Sequence, residues 1–154
     1  MTEQKTLGPK LFTLPQAEAA LPAVKEHLAR FQDAYGRYEE VKREVSVLRL
    51  VSASGVDKAN PDSATLQDKE REQQTLVREM QSIQVGLVEV GCVPKSIQDG
   101  LVDFFAIKDE RLVFLCWRQG EERIRAWHTL EAGYAGRMPI ETFVDPEAAG
   151  DRHD

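Results

Sequence analysis

Through the first two thirds of the chain, apolar residues return every three or four positions, at Ala17, Leu21, Val24, Leu28, Phe31, Tyr35 and Tyr38. After a slip of phase they resume at Val41, Val45, Leu48 and Val51. A stripe of this period occupies one side of an α-helix, and its persistence predicts a coiled-coil seam with one irregularity. Thr13-Leu14-Pro15-Gln16 opens it as an approximate capping box, whose hydroxyl and amide can satisfy the free N–H groups of a first turn. Pro22 lies inside the seam. Because it has no N–H and crowds the turn before it, while the stripe continues beyond it, it predicts a kink. Small and polar residues over 52–60 mark a loop, with Asn60 as cap and Pro61 as the first residue of a new helix. A second seam runs through Leu66, Lys69, Gln73, Leu76, Met80, Ile83, Leu87 and Val90, and Gly91 is placed to end it. The expectation is a long antiparallel helical hairpin over about residues 13–91.

Beyond Gly91 the aromatic residues crowd together and the period falls to two. Residues 92–95 can form only a short edge strand, because Pro94 cannot donate to a ladder. Asp99-Gly100 marks a turn, and a meander follows through 101–107, 112–118 and 123–129, with turns at 108–111 and around Gln119-Gly120-Glu121. The chain is thus expected to be one α+β domain over residues 1–144, a hairpin followed by a small antiparallel β-meander over about 92–144, with 145–154 a disordered tail. Pairing Ile107 with Leu112 and Arg118 with Arg123 puts Val102, Phe104, Ala106, Val113, Leu115, Trp117, Ile124, Ala126 and His128 on a core face. The other face then carries Asp103, Phe105, Phe114, Cys116, Arg118, Arg123, Arg125 and Trp127. A one-residue slip in the second turn would reverse every assignment on the third strand.

Charge narrows the partners. In 154 residues, 20 Lys and Arg face 26 Asp and Glu, a net −6 that argues against nucleic acid. No apolar run approaches the length of a membrane span, the first residues are polar, and Cys92 and Cys116 form no CxxC. The expectation is a soluble protein of a reducing cytoplasm. No phosphate-binding or dinucleotide motif is present, and His27, His128 and His153 lack metal-ligand spacing. Cys116 and His128 fall on opposite faces in the expected register, so no catalytic residue, metal site or cofactor is assigned.

What remains is a set of candidate binding residues. Asp103, Arg118, Arg125 and Trp127 share a face on which guanidinium groups outnumber the one carboxylate, a mixture suited to recognition or to an Asp103–Arg125 cross-strand pair. His128 reads as a core histidine bonded to a backbone carbonyl, or as part of a site with Asp103, Arg118 and Arg137. Gly133 and Gly136, beside Arg137, could shape a loop whose N–H groups cradle an anion.

Several of these residues recur in a known order: Leu11-Phe12-Thr13 before an Ala-Leu-Pro helix, Gly100-Leu101-Val102-Asp103-Phe104, Leu115-Cys116-Trp117-Arg118 with Gly120-Glu121, Trp127-His128, and Ala135-Gly136-Arg137 before Pro139-Ile140. Together they resemble the bacterial domain-of-unknown-function family 2203 over roughly residues 10–140. The resemblance implies small bacterial or archaeal proteins of unassigned activity, so function rests on the residues. The leading expectation is a non-enzymatic protein-interaction module that associates with itself as a homodimer or with another protein, because the apolar stripe runs to a helix end that a small sheet cannot cover. The alternative is a small-molecule or anion-binding domain, with a small acidic ligand or with a reaction of unknown type.

Overall fold

The computed structural model describes residues 9–53 and 61–143. Two helices come first, α1 (Leu14–Ala53) and α2 (Pro61–Val90). One antiparallel sheet follows, its strands β1 (Val93–Ser96), β2 (Leu101–Lys108), β3 (Arg111–Arg118), β4 (Ala126–Thr129) and β5 (Met138–Pro139) lying in chain order. This is the expected α+β arrangement of packed helices and meander, with β5 and the short turns Tyr134–Gly136 and Ile140–Thr142 added to it. The Asn60 cap and the tail from residue 145 fall outside the described residues.

Local chemistry sets the helix ends. The Thr13 N–H donates to Gln16 Oε1 at 3.0 Å and the Gln16 N–H donates back to Thr13 Oγ1 at 3.2 Å, which closes the capping box. α1 runs unbroken through Pro22. α2 begins at Pro61, whose missing N–H costs nothing in a first turn. It ends at Gly91, which at φ 109° donates its N–H to the carbonyls of Leu87 and Val88.

The chain divides into two compact units, residues 29–84 and the remainder on either side of them. In the first, Ala34, Val41, Val45 and Leu76 are buried, with Tyr38, Leu66 and Met80 packed against them. Phe31 and Tyr35 are only half-buried beside the buried Ala34, so the slip of phase begins there. Lys69 and Gln73 make this seam polar, and Lys69 pairs with Glu44 at 3.0 Å while Arg37 reaches Glu72 at 2.7 Å and Arg49 reaches Glu70 at 2.9 Å. Exposed pairs of this kind add little stability and chiefly favour one register.

In the other unit Ala17, Leu21, Val24, Leu28 and Leu87 meet the sheet face formed by Val102, Phe104, Ala106, Val113, Leu115 and Trp117. The β2–β3 register is the expected one, with Ile107 opposite Leu112. Pro94 sits on the edge strand, where its missing donor is harmless.

The second turn departs from expectation by one residue. β3 pairs with β4 through Cys116↔Ala126, Leu115↔Trp127 and Phe114↔His128, a register that would set Arg118 opposite Ile124 and not Arg123. The cause is the chain between the strands. Glu121 takes the backbone donor that a strand at residue 123 would need, since its carboxylate accepts the Arg118 backbone N–H at 2.9 Å, and its own carbonyl is engaged by the Trp117 indole N–H at 2.9 Å. The Ile124 N–H is drawn away to Glu18 Oε2 on α1, so pairing resumes only at Ala126. Every face assignment on β4 therefore reverses, with Trp127 in the core and His128 on the opposite face.

The β2–β3 connection has a testable cost. Lys108 pairs with Arg111 across Asp109 and Glu110, both at positive φ (52° and 64°), the geometry of a tight type I′ turn that glycine favours in its second position. Glu110→Gly should therefore raise the unfolding free energy by about 1 kcal/mol in a urea titration. An unchanged or lower value would contradict the turn.

Candidate functional site

The reversal of β4 creates a polar cluster on the sheet face away from the helices. Asp103 on β2 is paired directly with Cys116 on β3, and His128 on β4 lies one diagonal further along. The carboxylate, the thiol and the imidazole place one ligand atom each within 4.8 Å of one another. All three residues are buried, with Asp103 only 1% exposed and His128 2%. The earlier placement of Cys116 and His128 on opposite faces is thus corrected by the longer β3–β4 connection.

The imidazole is held by both nitrogens. Nδ1 lies 2.7 Å from the Thr129 carbonyl, which can only accept, so Nδ1 carries a hydrogen. Nε2 then faces Asp103 Oδ2 at 3.1 Å, and one proton lies between the two groups, whether the pair is written as imidazolium and carboxylate or as neutral acid and base. Burial pushes the Asp103 carboxyl above its ordinary range and the charge of His128 pulls it back. The Phe114 ring lies against the imidazole, 5.3 Å between centroids, and Lys95 sits over that same ring with its Nζ 3.9 Å from Asp103 Oδ2.

Asp103 Oδ1 is buried and has no hydrogen-bond partner among the described residues. The Cys116 thiol beside the carboxylate is a weak donor that favours its charged form, and it leaves Oδ1 without a bond of ordinary geometry. Next to the cluster is a cavity of about 110 Å³ lined by Lys95, Leu101, Asp103, Cys116, His128, Gly133 and Tyr134. It holds a group the size of about three or four waters.

Of the residues singled out beforehand, Asp103 and His128 meet here. Arg118 and Arg137 stand beside the cavity: each donates to the Tyr134 hydroxyl, at 3.1 and 3.0 Å, and Arg137 also donates to Glu121 at 2.9 Å. Arg118 is exposed and meets a phenol in place of a helix carboxylate. Arg125 does not pair with Asp103; it lies before β4, exposed beside a separate pocket with Glu18 and Glu141. Trp127 is a core residue whose indole N–H donates to Thr142 Oγ1 at 2.8 Å. The loop at Gly136 is no anion cradle, because the N–H groups of Gly136 and Arg137 are used inside their own turn by the carbonyls of Gly133 and Tyr134. Gly136 is needed instead for space, since a Cβ there would overlap that of Ala132.

Lys95, Cys116 and Tyr134 were missed. Cys116 was set aside only through the parity error. Lys95 and Tyr134 reach the site from the edge strand and from the chain beyond β4, where period-two patterning carries no information.

A family model described as an uncharacterised conserved protein, DUF2203, matches residues 10–140, the stretch from which the resemblance was read. No curated protein and no solved structure matches the chain.

The chemistry of the cluster is not that of an activated nucleophile. Burial, reinforced by Asp103, pushes the Cys116 thiol up to about 12, and burial pushes Cys92 up to about 11. Among the described residues the imidazole beside it, that of His128, is already engaged with Asp103. At about pH 8 the folded protein should leave both thiols unmodified by a disulfide reagent while the unfolded chain reacts at both. A fast-reacting thiol in the folded state would contradict this arrangement.

Proposed function

The chain belongs to the DUF2203 family, described only as uncharacterised conserved proteins, and we propose from its geometry that it is a small-ligand-binding domain whose site is the cavity beside Asp103 and His128. One observation carries this reading: Asp103 lines the cavity, and its Oδ1 is buried and unpartnered among the described residues. A buried carboxylate oxygen without a donor costs about 1–3 kcal/mol or more, and folded chains rarely leave one so. A ligand that brings a donor or positive charge to Oδ1 recovers that cost. Lys95, which also lines the pocket with its Nζ 3.9 Å from Asp103 Oδ2, offers the ligand a cation. The Tyr134 hydroxyl, which accepts from Arg118 and Arg137, keeps its own O–H to donate.

The test is thermal unfolding in the presence of small amino, hydroxy and carboxylic acids. A ligand at about 100 times its dissociation constant stabilises by about 2.7 kcal/mol. The expected result is an upward shift with at least one compound, reduced in Lys95→Met and Tyr134→Phe and retained in Arg125→Ala. No shift with any compound, or a shift indifferent to Lys95 and Tyr134, would reject the reading.

A second reading, the protein-interaction module, draws on a different observation. In the 29–84 unit Val47 is 59% and Leu50 72% exposed, beside an open groove of about 430 Å³ lined by Arg43, Glu44, Val47, Leu48, Thr65 and Lys69. Apolar exposure of this kind suits a second copy of the hairpin. On that reading, sedimentation at micromolar concentration returns twice the chain mass, and Val47→Glu with Leu50→Glu returns it to one. A single-chain mass for the unaltered protein throughout that range would exclude self-association.

A further inference from the structure

We infer that Asp103, Cys116 and His128 form a binding site for one divalent transition-metal ion of the zinc class, with a further coordination position open to the cavity. The inference rests on the pocket reading above and names its occupant.

Three independent features lead to it. The donor set is one nitrogen, one sulfur and one oxygen, the combination that zinc and its neighbours accept and that magnesium and calcium do not. The spacing is right as well. Ligand atoms around a tetrahedral zinc stand about 3.4–3.6 Å apart, given bond lengths of about 2.0–2.3 Å. Here the three atoms lie within 4.8 Å of each other and Nε2 is already 3.1 Å from Oδ2, so side-chain rotation on rigid strands suffices. The third feature is support behind the ligands: the Nδ1–H of His128 donates to the Thr129 carbonyl, which turns Nε2 toward the cluster, as metal-bound histidines are held. The unpartnered Asp103 Oδ1 supplies the electrostatic reason, since a cation is the strongest partner a buried carboxylate can gain.

Binding balances as an exchange of protons for metal. The thiol proton leaves to solvent, and so does the proton shared by Nε2 and Oδ2, while Nδ1 keeps its own. Thiolate and carboxylate then neutralise the ion, and the imidazole adds a neutral donor. Lys95 opposes the metal, because its ammonium stands 3.9 Å from Oδ2 of the carboxylate that must coordinate. It is 41% exposed and can turn to solvent. The two readings therefore assign Lys95 opposite signs: it assists an organic anion and hinders a cation.

Cobalt(II) and zinc(II), titrated into the full chain after chelator treatment, test the site. The expected result is one equivalent bound, with sulfur-to-cobalt charge-transfer absorption and the intense visible bands of a four-coordinate centre. Cys116→Ser should lose the charge-transfer band and Cys92→Ser should keep it. Asp103→Asn should weaken zinc at least tenfold, and Lys95→Met should bind it as tightly as the unaltered chain or more so. If Cys116→Ser fails to fold, X-ray absorption of the zinc-loaded unaltered protein decides, with one sulfur at about 2.3 Å expected. No stoichiometric binding, a spectrum without sulfur character, or a band that survives in Cys116→Ser would overturn the inference. Should the metals fail while an organic acid stabilises the protein through Lys95, the metal inference falls and the ligand-binding reading stands. Failure of both removes both.

Discussion

Glu121 determines what this sheet can do. Its carboxylate captures the Arg118 backbone N–H, a ladder donor at the end of β3, and so denies it to a strand that would start at residue 123, while its carbonyl is held by the Trp117 indole N–H. With the Ile124 N–H drawn to Glu18 on α1, pairing begins again at Ala126. In a structure of period two, that single residue of delay exchanges the faces of β4. It sends Trp127 into the core and brings His128 round to Asp103 and Cys116. The polar cluster is therefore a consequence of a loop, although none of its members belongs to one.

The two faces of the sheet solve different physical problems. Toward α1 and α2 the side chains are apolar and need only volume, which Phe104, Leu115, Trp117 and Trp127 supply. Toward Tyr134 and Lys95 the sheet buries a carboxyl, a thiol and an imidazole, groups whose removal from water must be offset by bonds to one another. The offset is nearly complete. Thr129 and Asp103 serve the imidazole, while the thiol stays neutral at little cost. One carboxylate oxygen remains over, and that remainder gives the face its chemical interest.

Much of the fold was legible because it rests on local rules. The Thr13–Gln16 capping box, the end of α2 at Gly91 and the β2–β3 pairing depend on residues close in sequence, and each was written in residue type and spacing. The site was legible only by halves. Asp103 and His128 are residue types that stand out when buried, but their meeting depended on a register set by Glu121, whose carbonyl is a backbone atom that every residue possesses. Arg125 was misplaced for the same reason. Gly136 was misread because the glycine serves crowding by Ala132, a neighbour that local sequence does not reveal as close.

The order of segments along the chain bears on how the molecule reaches this state. The unit that carries the pocket is made of two stretches separated by residues 29–84, and its core joins Leu28 from one to Leu87 from the other. Closing so long a loop as loose chain would cost about 3.5 kcal/mol of entropy before any contact formed. Helical pairing within residues 29–84 would shorten that search, because each paired turn narrows the remaining gap through local contacts. By that route the excursion would tie the two stretches together, and the entropy of closure need not follow its full length.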